Sequence, residues 1–138
     1  MWTRSCRDAH HASVELLTSD TVKLTLRRQM TWSAGQHAYV ILPSVSKLPT
    51  EAHPFTIASI PQSIDGSSEL VFLIRAQGGF TARLRELATR KGAPSSVPAY
   101  IDGPYGNPPD LKGFSTCVLI AGGSGISYTL PLFLDIVR

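Results

Sequence analysis

Residues 69–90 read ELVFLIRAQGGFTARLRELATR, and the spacing of the apolar side chains changes in the middle of this stretch. The first part, residues 69–75, is rich in β-branched and other apolar side chains and predicts a strand. From Phe80 onward the apolar residues recur at helical spacing with charged residues between them, which predicts a helix. The stretch therefore indicates a strand that leads through two glycines directly into a helix.

Short apolar runs separated by turn residues flank this stretch on both sides. Residues 13–27 predict two strands around a Thr-Ser-Asp turn, and residues 37–42, 55–60 and 97–101 predict one strand each. Several short strands at such spacing are typical of a small antiparallel barrel. We therefore expect a mainly β fold, a six-stranded antiparallel Greek-key barrel with one helix.

The C-terminal part has a different pattern. Residues 102–109, DGPYGNPP, predict a turn-rich linker. Beyond it, residues 116–121 predict a buried parallel strand and residues 128–138 the start of a helix. A lone βα unit cannot form a parallel sheet, so we expect a truncated α/β nucleotide-binding domain. The expected division of the chain is a polar tail at 1–12, a barrel at 13–109 and the incomplete start of an NAD(P)H-binding domain at 110–138.

The composition suits a packed domain and excludes some functions. Of 138 residues, 43% are hydrophobic and 17% charged, which argues against general disorder. The net charge of +3 comes without a clustered basic face, so we expect no nucleic-acid partner. Cys6 and Cys117 form no metal-ligand pattern, and we expect no metal site. Residues 113–134 carry no charge, but the glycines in their middle favour a strand, a loop and a helix over a transmembrane segment.

Three short segments carry residue types that could bind dinucleotide cofactors. Residues 122–127, GGSGIS, and 75–81, RAQGGFT, place glycines before a helix, where backbone N–H groups can approach a phosphate. Residues 53–59, HPFTIAS, offer a cation or donor, a flat ring and small hydroxyl groups, as a flavin site requires. Each segment alone has a structural alternative, namely a tight glycine turn, a glycine turn capped by threonine, or a His-Pro pair that starts a strand.

Taken together, these segments resemble a known module. With WSAGQH at residues 32–37 and IDGPYG at residues 101–106, they are similar to the ferredoxin-reductase-like FAD-binding module of ferric reductases and NADPH oxidases. The similarity is greatest to the fungal-type ferric-chelate reductases, in which His-Pro-Phe-Thr is the flavin motif. It covers the chain from about residue 13 to residue 138.

The resemblance implies roles for particular residues. His53 and Arg75 would lie near the FAD pyrophosphate, Phe55 against the isoalloxazine ring, and Thr56, the catalytic residue, near N5 of the ring. The residues implied for FAD are His53, Pro54, Phe55, Thr56, Ser59, Arg75, Gly78, Gly79, Phe80 and Thr81. Those implied for NADPH are Gly122, Gly123, Ser124, Gly125, Ile126 and Ser127.

The resemblance also implies an activity. In such proteins electrons pass from NADPH through FAD to haem in a membrane domain, and then to ferric iron. We therefore expect a membrane-bound parent protein with this domain on the cytosolic face, and little activity from this chain alone. The alternatives are an NADPH oxidase-type or soluble flavin reductase module, or, in another class, a non-catalytic truncated flavin-binding or interaction domain.

Overall fold

The computed structural model describes residues 10–138. Of the polar tail predicted at 1–12, residues 1–9, including Cys6, lie outside the described residues. The remainder of that segment is already part of the first strand, which begins at His10 rather than at residue 13. Pairing explains the difference, because His10 to Ala12 lie opposite residues of the last strand and hydrogen-bond there despite their polar sequence.

Six antiparallel strands form one sheet, which confirms the predicted mainly β fold. In chain order they are β1 (His10–Leu16), β2 (Thr21–Arg28), β3 (His37–Ile41), β4 (His53–Thr56), β5 (Ser68–Arg75) and β6 (Ser96–Tyr105). In space the order is β4-β3-β6-β1-β2-β5, so β4 and β5 are the outermost strands. The predicted helix, α1 (Gly79–Thr89), follows β5.

Hydrogen bonds after β4 join these two outermost strands and close the sheet. The Ala58 amide donates to the Val71 carbonyl at 2.8 Å. The Ser59 hydroxyl donates to the Glu69 carbonyl at 2.8 Å and accepts from the Val71 amide at 3.1 Å. The Trp32 indole N–H donates to the Ser59 carbonyl at 2.8 Å. Ser59 is therefore a structural link between β4 and β5.

The core follows the alternation of the strands. In β2 the buried positions are Val22, Leu24, Leu26 and Arg28, and in β5 every second residue from Ser68 to Ile74 is buried. Helix α1 adds Phe80, Leu84 and Leu87 to the same core. The burial of Phe80, the second residue of α1, fixes the N-terminus of this helix against the sheet.

The C-terminal segment differs from expectation in one respect. Residues 116–121, predicted as a strand, pair with no strand in the described chain, and Val118 and Ile120 are 78% and 87% exposed. An apolar run becomes a strand only when a neighbouring strand supplies its hydrogen bonds, and no described segment does so here. A 3-10 turn, Gly123–Gly125, then leads into α2 (Ile126–Val137), which begins two residues before the predicted helix start.

Helix α2 packs against the turn before β3. Gly35 has a φ of +90°, and a Cβ there would lie 3.0 Å from Pro108 and 3.1 Å from the Tyr128 ring. Leu132 is 6% exposed at this contact, and Lys112 forms an ion pair with Asp135 at 3.3 Å. In the part of the chain that the structure describes, neither helix has the length and apolar character needed to cross a bilayer.

We predict that Ser59→Ala lowers the free energy of unfolding by about 1–2 kcal/mol, because it removes both bonds of the hydroxyl and leaves the Val71 amide without its acceptor. Urea unfolding at neutral pH measures the change. Ser63→Ala, at an exposed position, is the matched control and should be neutral. Equal stability of both variants would mean that the Ser59 hydroxyl does not hold β4 and β5 together.

Candidate flavin-binding site

The N-terminus of α1 is shaped by two glycines and a threonine. Gly79 adopts a φ of +53°, a backbone conformation that residues with a Cβ rarely adopt. The Thr81 hydroxyl accepts from the Gln77 amide at 3.0 Å and from the Gly78 amide at 3.3 Å, and it donates to the Gly78 carbonyl at 2.9 Å. These bonds join residues of the loop to one another and so hold it in place.

The next backbone amides remain open. Within the described residues, no group accepts a hydrogen bond from the N–H groups of Gly79, Phe80 or Thr81, and the first turn has no acidic side chain. A Cβ on Gly78 or Gly79 would meet nothing within 4 Å. An unobstructed helix N-terminus with unused N–H groups favours an anion. The segment 78–81, which the sequence predicts as a phosphate cradle, therefore presents open backbone amides at a helix N-terminus.

Aromatic rings from β4 lie beside this helix end. The His53 ring stacks on the Phe80 ring at a centroid distance of 4.3 Å and an interplanar angle of 27°. The Phe55 ring lies 6.2 Å from Phe80 at the same angle. His53 and Phe55 share one face of β4 because alternate residues of a strand do so. The structure thus brings together three of the predicted FAD residues, although Phe80 is more than twenty positions from His53 and Phe55 in the sequence.

The other β4 residues lie on the opposite face. Pro54 is exposed and pairs with Tyr39 of β3, while Thr56 is half-buried and pairs with His37. Thr56 is the last residue of β4. The next residues, Ile57 and Ala58, lead to the hydrogen bond between the Ala58 amide and Val71 of β5.

A charged cluster that was not predicted from the sequence contacts His53 through Glu51. Glu51 accepts from His53 Nε2 at 3.0 Å, from the Lys47 amide at 2.6 Å, and from Arg83 Nη2 at 3.0 and 3.1 Å. Arg83 also donates from Nε to the Val45 carbonyl at 2.8 Å. These contacts, led by the hydrogen bond from His53, lower the pKa of Glu51 to about 2.

Only a weak signal for this cluster is present in the sequence. Arg83 occupies a position between apolar helix residues, where the pattern predicts a solvated side chain. Its spacing of one turn from Gly79 places it near the helix N-terminus, and Glu51 lies two residues before the His-Pro pair. Only the fold brings the 43–52 loop against α1.

Arg75 has different neighbours from His53. Its Nε donates to Asp20 Oδ2 at 2.9 Å, and hydrogen bonds from Thr18, Thr21 and Arg75 to Asp20, in that order, lower the pKa of the Asp20 carboxyl. A Cβ on Gly123 would lie 3.3 Å from Arg75 Nη1. No hydrogen bond or ring contact joins Arg75 to His53 among the described residues. Arg75 therefore faces the second glycine loop.

That loop closes a cavity of about 300 Å³ over the outer surface of β5. The residues that line it are Thr18, Asp20, Thr21, Leu73, Arg75, Gly123, Ser124 and Ile126. Gly125 N bonds to the Gly122 carbonyl at 3.0 Å, and the Ser127 hydroxyl donates to the Ser124 carbonyl at 2.8 Å, so both residues stabilise the loop itself. Across residues 10–138, no group of three or more His, Cys, Asp or Glu side chains could hold a metal ion.

Comparison with known proteins defines the class of the molecule. Residues 7–109 match the FAD-binding domain family, and the chain belongs to it. Over 133 residues, 91% of this chain, it is 32% identical to a probable cell surface ferric reductase, kap2, of Aspergillus oryzae. Over 127 residues, 88% of this chain, it is 34% identical to ferric reductase transmembrane component 4 of Saccharomyces cerevisiae.

A third relative is named as an oxidase and not as a ferric reductase. Dual oxidase 2 of Rattus norvegicus is 33% identical over 128 residues, 90% of this chain. The chain spans only 17% of the length of each of the two ferric reductases and 8% of the dual oxidase. The resemblance inferred from the motifs, to the FAD-binding module of ferric reductases and oxidases, is thus confirmed.

We predict that Glu51 makes the fold sensitive to acid. Because its pKa is about 2 in the folded chain and near 4.5 ordinarily, its contribution to stability is present above about pH 4.5 and is lost as the pH falls through about 2. Glu51→Gln should therefore lower the thermal midpoint at neutral pH, and the difference from the parent chain should vanish near pH 2. A difference that stays constant over this range would mean that the Glu51 charge does not stabilise the fold.

Proposed function

We propose that the chain binds FAD with its diphosphate at the N-terminus of α1 and its isoalloxazine ring on the side of β4 that carries Phe55. The observation that carries the proposal is the group of open amides at Gly79, Phe80 and Thr81, directly beside the stacked rings of His53 and Phe80. Family membership supports the choice of FAD as the ligand.

Each residue has a role in this proposal. The three amides donate to diphosphate oxygens, and Gly78 and Gly79 leave room for close approach. His53 and Arg75 supply donors to the same group, with Arg75 leaving Asp20 to do so. Phe55 packs on the face of the ring, and Thr56, whose side chain is on the opposite face of β4, lies at the ring edge near N5 through its backbone at the end of the strand. Pro54 stiffens the strand, and Ser59 keeps β4 against β5.

The second glycine loop belongs to the other cofactor in this proposal. Residues 122–127 receive the diphosphate of NADPH, and the adjacent guanidinium of Arg75 makes the cavity suitable for an anion. Bound FAD supplies the chemistry that accepts a hydride from NADPH and releases electrons singly. The protein contributes the two anion sites and the wall of β5 between them.

For the whole protein, we propose an NADPH-dependent ferric reductase of the membrane, with this domain on the cytosolic side and a haem-bearing domain as its electron acceptor. The names of the two fungal relatives support ferric iron as the final acceptor. The second candidate is an oxidase that reduces dioxygen, favoured by the similarity to dual oxidase 2. Reduction of a ferric chelate or of dioxygen by the full-length protein, each measured with NADPH, decides between them.

We predict that Gly79→Ala raises the dissociation constant of FAD roughly ten-fold, because a Cβ at a φ of +53° shifts the loop and costs a charge-assisted hydrogen bond of about 1.5–3 kcal/mol. Flavin fluorescence quenching measures the constant. Gly66→Ala is the matched control, since Gly66 has a φ of +75° in an exposed turn away from α1. If both variants bind FAD like the parent chain, the diphosphate lies elsewhere.

We predict that Arg75→Ala weakens FAD binding by roughly ten-fold or more and reduces its dependence on salt concentration, because a cation is lost from the diphosphate. Titrations at low and high salt measure both quantities. Arg85→Ala, at an exposed position of α1, is the control for net charge. Unchanged FAD affinity in folded Arg75→Ala would restrict Arg75 to its ion pair with Asp20 and to the second loop.

A further inference from the structure

The cluster around Glu51 extends the proposed flavin site, on which the following inference rests. Glu51 contacts three separate parts of the fold: the 43–52 loop through the Lys47 amide, β4 through His53, and α1 through Arg83. Its side chain is 23% exposed and that of Arg83 is 26% exposed, so both are partly shielded from water. A carboxylate with this many donors has a fixed position.

His53 is held on two sides by this arrangement. Its Nε2 lies 3.0 Å from Glu51 Oε1, and its ring face covers Phe80, which is only 3% exposed. The Phe80 amide is one of the open N–H groups of α1. The imidazole is therefore fixed next to the open helix end, although the residue is not itself part of α1.

The hydrogen-bonding chemistry fixes which ring nitrogen carries the hydrogen. An ionised carboxylate only accepts, so Nε2 must donate to Glu51, and a neutral ring then has a lone pair at Nδ1. Among the described residues Nδ1 has no partner. Phosphate oxygens also only accept, so Nδ1 can bond to a diphosphate only after it gains a proton.

We propose that Glu51 is a positioning residue of the flavin site: it orients His53 so that Nδ1, once protonated, donates to the FAD diphosphate. Binding of FAD then takes up a proton at His53 Nδ1. The other charged group at this cluster is Arg83, which donates to both carboxylate oxygens of Glu51 and contacts the His53 imidazole only through that carboxylate. Arg83 thus fixes the carboxylate, and the carboxylate fixes the imidazole.

This proposal and simple electrostatics predict opposite changes in FAD affinity when Glu51 is replaced. Loss of a negative charge near an anionic ligand should strengthen binding by electrostatics alone. Loss of the positioning contact should instead weaken it. Riboflavin adds a second discrimination, because it has the same ring system as FAD but no phosphate, so a residue that acts on the diphosphate does not affect it.

The experiment compares FAD with riboflavin on the full chain, for the parent chain, Glu51→Ala and the control Glu86→Ala. Glu51→Ala removes the acceptor of the His53 Nε2 hydrogen bond, which a glutamine would keep; Glu86 is exposed on α1, and its replacement removes the same charge. We expect Glu51→Ala to weaken FAD binding roughly ten-fold, riboflavin to change by less than about two-fold, and Glu86→Ala to leave both unchanged. Equal or tighter FAD binding by Glu51→Ala, or a parallel loss of riboflavin, would overturn the proposal.

A second measurement applies even if Glu51→Ala fails to fold. In the parent chain, FAD should bind more tightly as the pH is lowered from about 8.5 to about 5.5, while riboflavin binding stays flat. His53→Gln, whose amide donates without titrating, should bind FAD with no such pH dependence. A flat FAD profile in the parent chain, or a profile that persists in His53→Gln, would overturn the role of His53 Nδ1. A parent chain that binds FAD no better than riboflavin would instead overturn the diphosphate site itself, and this inference with it.

Discussion

The burial of one side chain, Phe80, couples the fold to the candidate site. As the second residue of α1, it places its ring in the barrel core while its backbone amide stays open at the helix end. A side chain of this size contributes about 1.5–3 kcal/mol on burial, which is enough to fix the position of the helix end against thermal motion. The N-terminus of α1 is thus attached to the core through this side chain.

The positions of the other site residues follow from this anchor. Phe80 provides the surface on which His53 stacks, and α1 carries Arg83 toward Glu51 one turn later. The bonds of Ser59 keep β4 next to β5, so that a ring on β4 and a helix that follows β5 can share one site. Preorganisation of this kind lowers the cost of binding, because the protein groups lose little freedom when the ligand arrives.

The two glycine loops have similar sequences but different surroundings. The loop at 78–79 stands open, with space where a Cβ would be, and the loop at 122–125 lies against the guanidinium of Arg75. Arg75 is held by Asp20 on the strand side and reaches the second loop on the other, so it lies between the regions proposed for the two cofactors. A single cation at this place would respond to both ligands.

The sequence by itself determined the strands, helix α1 and the two glycine loops, because alternation, helical spacing and glycine conformations are local properties of the chain. The His-Pro-Phe-Thr motif, together with the other motifs in their order along the chain, also indicated the family. The tertiary structure alone decided that Arg83 meets Glu51 beside His53 and that Arg75 faces Gly123, because these contacts join residues distant in sequence. It also decided that residues 116–121 form no strand, since a strand depends on hydrogen bonds from a neighbour and not on its own apolar pattern.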